Sequence, residues 1–577
     1  MPHFLTTTFL AAACILWSIT RFLFRKSPLD NVRGPPSQSI WTGNFESLFD
    51  TNGWKFHAYI AQTYGKVARI EGPMRSQLLY VFDPLALHHI IVKDQPIYSR
   101  NTSDLLVSKI MFGEGLLSIG SGEQHQRQRK LLNPAFSNVH LRQLGVKHAQ
   151  TEGQQLWLTT LSAPVFYDVA HKLRAGLASK VNDSPAEIDI LHSLKRCALE
   201  LIGRGGLGYS FDNLEDDNQP VHPYSEAISG IQPLLIRLSL AFRLILPWAS
   251  KIGSPHFQRA IVDWVPWEAL HQFRDTVDIM DLTTREIFET KKRALSTTGE
   301  WSETHNSKDI ISILMQTNAR AGDNDRLSDT EILGQMTTFI FAATETTATA
   351  LAQILYLLAQ NPDVQDRLRA ELSEAQQRDA GDINYDHLMQ LPYLDAVCRE
   401  TLRLHPPTPF SMRTSGLSFS PRCSAHNNYP ALSRTPFFPS RRQFKGAMEQ
   451  ISEPCASHAA RTSCFPSKMR IATQVFGGAD ATEWKPSRWL APLPETVTNA
   501  PATGVYQHLF TFSGGPRGMH VMWYLSGLWL ATEVVLAVLL PAFHLSLGER
   551  HVDWNLGFIV QPSVEGKEQL PLVFSML

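Results

Sequence analysis

Cysteine is scarce in this chain. There are six in 577 residues, Cys14, Cys197, Cys398, Cys423, Cys455 and Cys464, with no CxxC pair and no regular spacing. That pattern excludes a disulfide framework and a structural zinc site, and it fits a reducing compartment. A basic excess is also missing: 53 Lys and Arg stand against 54 Asp and Glu, for a formal net charge of −1. Nucleic acid is therefore not an expected partner. No internal repeat is present, which removes solenoids and propellers from consideration. What remains is an ordinary globular composition, long enough for several domains or for one large α-rich one.

The N-terminus departs from that composition. Phe4 to Thr20 carries no charge, and Arg21, Arg25 and Lys26 follow it. As a helix this run would be about 26 Å long, close to the roughly 30 Å hydrocarbon core of a bilayer. Basic residues beside a span favour the cytoplasmic side. A cleaved signal peptide is the other reading, but no positive segment precedes the apolar run. The expectation is an uncleaved anchor over residues 1–26, with a domain over 27–577 facing the cytosol. The sequons at Asn101 and Asn182 would then stay bare.

Arg33-Gly34-Pro35-Pro36-Ser37 reads as a stiff connector. Val67–Ile70 and Leu78–Phe82 read as a hairpin around Gly72-Pro73. From about residue 84 to 410 the pattern is helical, with spans at Leu85–Lys93, Ser193–Gly203, Tyr224–Leu246, Trp267–Leu295, Asp329–Gln360 and Val364–Gln377. Asn361-Pro362 reads as a cap followed by a first-turn proline. Residues 416–469, rich in Ser, Pro and Arg, have no period. They read either as a disordered insertion or as sequence that is not native coding, such as a translated intron.

Two motifs carry chemistry. In the apolar helix, Phe341-Ala342-Ala343-Thr344-Glu345-Thr346-Thr347 places an acid and threonines where hydroxyls can back-bond to helix carbonyls. Alone it is equally a partly exposed Thr-rich face. Glu400-Thr401-Leu402-Arg403 puts an acid and a base three apart on one helix face, just before His405-Pro406-Pro407. By itself ExxR is weak; its setting, LPYLDAVCRETLRLHPP, is informative.

Together these segments resemble the cytochrome P-450 family. Ala342-Ala343-Thr344-Glu345-Thr346 is similar to that family's oxygen-binding helix, with Ala343 in place of the usual glycine. Glu400 and Arg403 sit where the family has ExxR. Trp484-Lys485-Pro486-Ser487-Arg488-Trp489 resembles its meander, whose arginine, here Arg488, would complete a buried structural triad. His125 and Arg129, in GEQHQRQRKLLNPAF, resemble the helix that binds haem propionates, and Arg413 matches another propionate arginine. Phe512-Ser513-Gly514-Gly515-Pro516-Arg517-Gly518 resembles the haem loop.

The loop then departs from the family. Met519 stands where the axial cysteine belongs, and Val521 where a glycine belongs; no cysteine follows. Thiolate ligation favours O–O cleavage, whereas methionine or histidine ligation suits electron transfer or reversible binding. The acid that follows the cysteine by nine residues in the family is here Glu533, fourteen after Met519. Residues 519–532 thus read as a local replacement. A mis-joined exon at 416–469 and another at 519–532 would explain both departures; a degenerate enzyme is the rival.

The resemblance implies a mainly α fold with small β-sheets, a cytochrome P-450 fold behind an N-terminal transmembrane helix. It implies heme b (haem, iron protoporphyrin IX), held by His125, Arg129, Arg413, Phe512, Gly515 and Arg517, with Met519 at the metal position. Glu345 and Thr346 would be catalytic, moving protons. The expected partners are an NADPH-cytochrome P-450 reductase, a small apolar substrate and the endoplasmic reticulum membrane. The expected activity is oxidation of that substrate with O2, in secondary metabolism or detoxification. A catalytically inactive haem-binding paralogue and a haem-thiolate isomerase or dehydratase are the alternatives.

Overall fold

The computed structural model describes residues 29–95, 97–135, 163–181, 184–215, 220–297, 309–415, 462–466, 480–498, 509, 511–515 and 521–577. The apolar run Phe4–Thr20, Asn182, Arg517 and Met519 lie outside these, as does most of 416–469. Among the described residues no helix is long and apolar enough to cross a membrane.

The chain enters through helix α1 (Trp54–Tyr64) and the strands β1 (Val67–Glu71) and β2 (Gln77–Val81). The two strands pair antiparallel, Val67 opposite Val81, as their alternating pattern predicts. Helices α2 (Thr102–Phe112) and α3 (Glu123–Ala135) follow. Asn101 caps α2, its side chain accepting from Ser103 N at 3.1 Å. Then come α4 (Ala163–Val181), strand β3 (Ala186–Asp189) and α5 (Ile190–Ile202).

The single helix expected over Tyr224–Leu246 is broken. It forms α6 (Pro223–Arg237), then the short turns Ser239–Leu244 and Leu246–Ala249. Pro233 lies inside α6 and Pro247 in the last turn, each removing a ladder donor. Leu85–Lys93 is also split, into a helix at Pro84–His88 and a wider turn at His89–Lys93. Next come α7 (Pro255–Trp264) and α8 (Glu268–Thr297).

Helix α9 (Asp329–Gln360) has 32 residues, so it is about 48 Å long. Ser328 and Glu331 start it with a capping box, each side chain bonding the other's backbone N–H. Helices α10 (Pro362–Asp379) and α11 (Pro392–Leu404) complete the bundle. Asn361 does not cap α10. Its amide turns back to donate to Leu357 O at 2.8 Å and closes α9 instead.

Strand β4 (Phe410–Ser415) and strand β5 (Thr462–Pro466) join β2 and β1 in one sheet, with Tyr98–Ser99 at its far edge. β5 runs parallel to β2 and antiparallel to β4. The aperiodic stretch therefore contributes a strand near its end. Helix α12 (Val521–Leu539) leads into β6 (Phe543–Leu547), β7 (Gln561–Val564), β8 (Lys567–Glu568) and β9 (Pro571–Met576). β9 pairs with both β3 and β6.

The core lies where α9 meets α4, α5, α11 and α12. Leu351, Leu355, Leu194, Leu394 and Val535 are wholly buried there. Burying each such side chain stabilises the fold by roughly 1.5–3 kcal/mol. The described part of α12 belongs to this core, which explains its continuous apolar run without a membrane.

Candidate functional site

Between Glu331 and Leu355 nearly every residue of α9 is buried, but Ala342, Thr346 and Ala350 remain partly exposed. Spaced by four, they form one face of the helix. Phe112 from α2 packs against Phe341 of α9, with ring centroids 5.0 Å apart. The loop after α2 lies directly on α9. A Cβ on Gly115 would fall 2.2 Å from Gly334 O, so backbone touches backbone there. The segment 101–120 thus covers this side of α9.

Thr346 Oγ1 donates to Ala342 O at 2.6 Å, and Thr344 Oγ1 to Ile340 O at 2.8 Å. Next to Thr346 is Glu345, wholly buried. Its Oε2 accepts from Gln561 Nε2 at 2.9 Å and faces Lys195 Nζ at 3.4 Å. Its Oε1 has no hydrogen-bond partner among the described residues. Burial pushes the Glu345 carboxyl up; Lys195 opposes this and Glu568 adds to it.

Of the residues expected to meet a haem's propionates, His125, Arg129 and Arg413 are all buried. Arg413 Nη1 donates to Ser411 Oγ at 2.6 Å and Met412 O at 2.9 Å. Among the described residues no carboxylate pairs with Arg129. Its Nη2 is buried and unbonded among the described residues, and burial lowers its pKa to about 10. A buried, unsatisfied guanidinium is costly unless an anion meets it. The donor set therefore fits the propionates of a haem.

Phe512 packs at the edge of the core, and Thr511 Oγ1 ties the loop to Leu402 O at 2.9 Å. Gly515 has φ +67°, and a Cβ there would meet Val92 Cα at 2.7 Å. Only glycine fits that position. On the proximal side the fit is incomplete. The loop's own sequence supplies Met519, not cysteine. The two cysteines with described side chains, Cys197 and Cys398, are buried in the core. Burial raises the pKa of both thiols, so neither offers a thiolate.

The structure brings Glu400, Arg403 and Arg488 together. Arg403 Nε and Nη2 donate to Glu400 Oε2 and Oε1 at 2.7 and 2.8 Å. Arg488 Nε donates to Oε1 at 3.3 Å. Lys485 N at 2.9 Å and Trp489 Nε1 at 3.0 Å supply further donors. Arg403 also donates to Ala481 O and Glu483 O, so α11 is stitched to the 480–490 segment. The buried charges are fully satisfied, which is what makes their burial tolerable.

Sequence reasoning missed two groups. Lys195, Gln561 and Glu568 surround Glu345. Their signal was present in part: Leu191 and Leu199, four residues either side of Lys195, are apolar, which places the lysine on the inner face of α5. The other group is a polar knot between α3 and α9. Gln335 Nε2 donates to Gln128 Oε1 at 2.7 Å, Gln128 Nε2 donates to Glu331 Oε1 at 3.0 Å, and Arg127 pairs with the same carboxylate.

A long central helix with a buried acid beside a half-buried threonine, a glutamate–arginine lock and a glycine-shaped loop are the marks of one class of haem protein. The cytochrome P450 family model matches residues 33–415, and this chain belongs to that family. It is 40% identical to cytochrome P450 monooxygenase 91 of Postia placenta, over 97% of this chain and 96% of that protein. It is 38% identical to cytochrome P450 monooxygenase 81 of the same fungus, over 97% and 95%. A ganoderic acid synthetase of Ganoderma lucidum is 35% identical over 97% and 96%.

Proposed function

We propose that the protein is an endoplasmic-reticulum monooxygenase of fungal secondary metabolism. It oxidises a small apolar molecule with O2 and electrons from an NADPH-cytochrome P-450 reductase. The observation that carries this reading is the wholly buried Glu345 beside the half-buried Thr346 on α9. The relatives named as monooxygenases and as a ganoderic acid synthetase support the reaction class and the setting. When bound, haem b supplies the activation of oxygen and its insertion into a C–H bond. Arg129, Arg413 and His125 would hold the propionates, the arginines by charge-assisted bonds. Glu345 holds a proton and, with Thr346, hands it on at the α9 face of Ala342, Thr346 and Ala350. The apolar side chains around Phe112 and Phe341 exclude water and select an apolar ligand.

Phe4–Thr20 anchors the chain. The exposed Ile245, Trp248, Ile252 and Trp264, 58%, 71%, 58% and 85% accessible, support a second contact with the bilayer surface. Vesicle flotation of a chain lacking residues 1–26 tests this: binding that survives only weakly is expected, and unchanged binding refutes the anchor.

Met519 favours a second reading, a haem-binding paralogue without oxygenase activity. Sequencing the transcript across residues 410–535 and recording reduced carbon monoxide spectra separate the two. If the oxygenase reading is right, a corrected transcript or the Met519→Cys chain gains the thiolate band and NADPH-dependent turnover. A faithful transcript encoding Met519, together with a Met519→Cys chain that shows neither, leaves the paralogue.

A further inference from the structure

The ammonium of Lys195 lies between two carboxylates. It pairs closely with Glu568 and stands 3.4 Å from Glu345 Oε2. The three groups come from three elements, α5, β8 and α9. They differ in their access to water. The Glu568 side chain is 30% accessible, that of Lys195 8%, and that of Glu345 not at all. The row therefore runs from solvent to the interior and ends next to Thr346. Gln561 from β7, uncharged, holds Glu345 Oε2. Glu345 Oε1 is left without a partner among the described residues, so it is the oxygen free to give or take a proton. Among the described residues, Lys195 and Glu568 are the titratable groups that act most strongly on Glu345.

An ordinary ion pair has one acid for one base. Here two acids share one base, and the trio would carry a net charge of −1 if all were ionised. Keeping an unmatched negative charge in a buried site is costly, so one acid takes up a proton. Glu568 reaches water and can stay ionised; Glu345 cannot. Burial opposes the charge on Lys195, but Glu345 and Glu568 together outweigh it and raise its pKa. At rest the base therefore holds its proton.

We propose that Lys195 and Glu568 are positioning residues that set the protonation of Glu345 and refill it from solvent. With Glu568 ionised and holding Lys195, Glu345 is a neutral acid ready to donate through Oε1. Once it has donated, Lys195 turns to the new Glu345 carboxylate, and Glu568, released, takes a proton from water. Lys195 then passes one N–H proton to Glu345 and accepts the proton of Glu568. The O–H bond on Glu568 breaks as one forms on Glu345, and the ammonium is regenerated. One proton has moved inward and no electrons are exchanged. The proposal deepens the oxygenase reading, because Glu345 serves that reaction.

The test is infrared difference spectroscopy of the full chain across a pH titration, with Glu345→Gln identifying the band of the protonated carboxyl. Removing the base and removing the outer acid have opposite signs. Lys195→Met moves the midpoint of that band to higher pH, and Glu568→Gln moves it to lower pH, each by at least a factor of ten in proton affinity. Lys195→Arg restores the original midpoint. A purely structural tie between α5 and β8 predicts that neither substitution moves the band; that result, or a shift of both in one direction, overturns the proposal. Should Lys195→Met fail to fold, Glu568→Gln decides alone, since its side chain borders water. The band needs no turnover. Opposed shifts, together with a corrected-transcript or Met519→Cys chain that gives no thiolate carbon monoxide band, therefore sink the oxygenase reading and leave the proton path.

Discussion

Arg403 meets Glu400 side-on, its Nε and Nη2 each bonded to a different carboxylate oxygen at 2.7 and 2.8 Å, with both side chains shut off from water. This geometry holds α11 against the 480–490 segment and, through Leu402 and Thr511, against the glycine-shaped loop. Glu400→Gln takes the buried carboxylate from Arg403, and Arg403→Met takes the buried cation from Glu400. The expected cost is about 3–5 kcal/mol. Urea unfolding of the full chain measures it, and a loss below 1 kcal/mol contradicts the assignment.

Arg129 predicts opposite effects on two states. Without haem its guanidinium is buried and incompletely bonded. Arg129→Leu should raise the melting temperature of the haem-free chain, by the equivalent of roughly 1–3 kcal/mol. The same change should weaken haem uptake in a titration. A destabilised haem-free chain with unchanged uptake would contradict the propionate role.

His57 governs stability on the acid side. Its Nε2–H donates to Leu48 O at 2.9 Å, and its Nδ1 accepts from Tyr80 O–H at 2.8 Å. Burial lowers its pKa from 6.5 to about 4. Between those values the unfolded chain binds a proton that the folded chain does not. The contribution is therefore complete above pH 6.5, is lost as pH falls towards 4, and changes no further below. It amounts to about 3 kcal/mol. Thermal melts from pH 7 to 4.5 should show a shallower decline for His57→Phe than for the parent; parallel curves would refute the coupling.

The helical skeleton was legible in the sequence, and the reasons are local. Asp329–Gln360 carries Ser328 and Glu331 at its start and Asn361-Pro362 at its end, so both boundaries are written in neighbouring residues. Tyr224–Leu246 was misjudged because its periodicity outlasts Pro233 and the turn at Leu238. The triad was legible only as a pair plus an arginine far along the chain. Trp489 and the Lys485 backbone, which complete the satisfaction of Glu400, obey no spacing rule. Strand Thr462–Pro466 has no pattern of its own. Its place follows from the open edges of β2 and β4, a long-range fact that no window of sequence contains. The surroundings of Glu345 were hidden for the same reason, since Lys195 and Glu568 lie 373 residues apart.

The abutment of Gly115 on Gly334 leaves no side-chain layer between the stretch beyond α2 and α9. With main chain pressed on main chain, even one added methyl at either position has no room, so a larger residue there must push the two backbones apart.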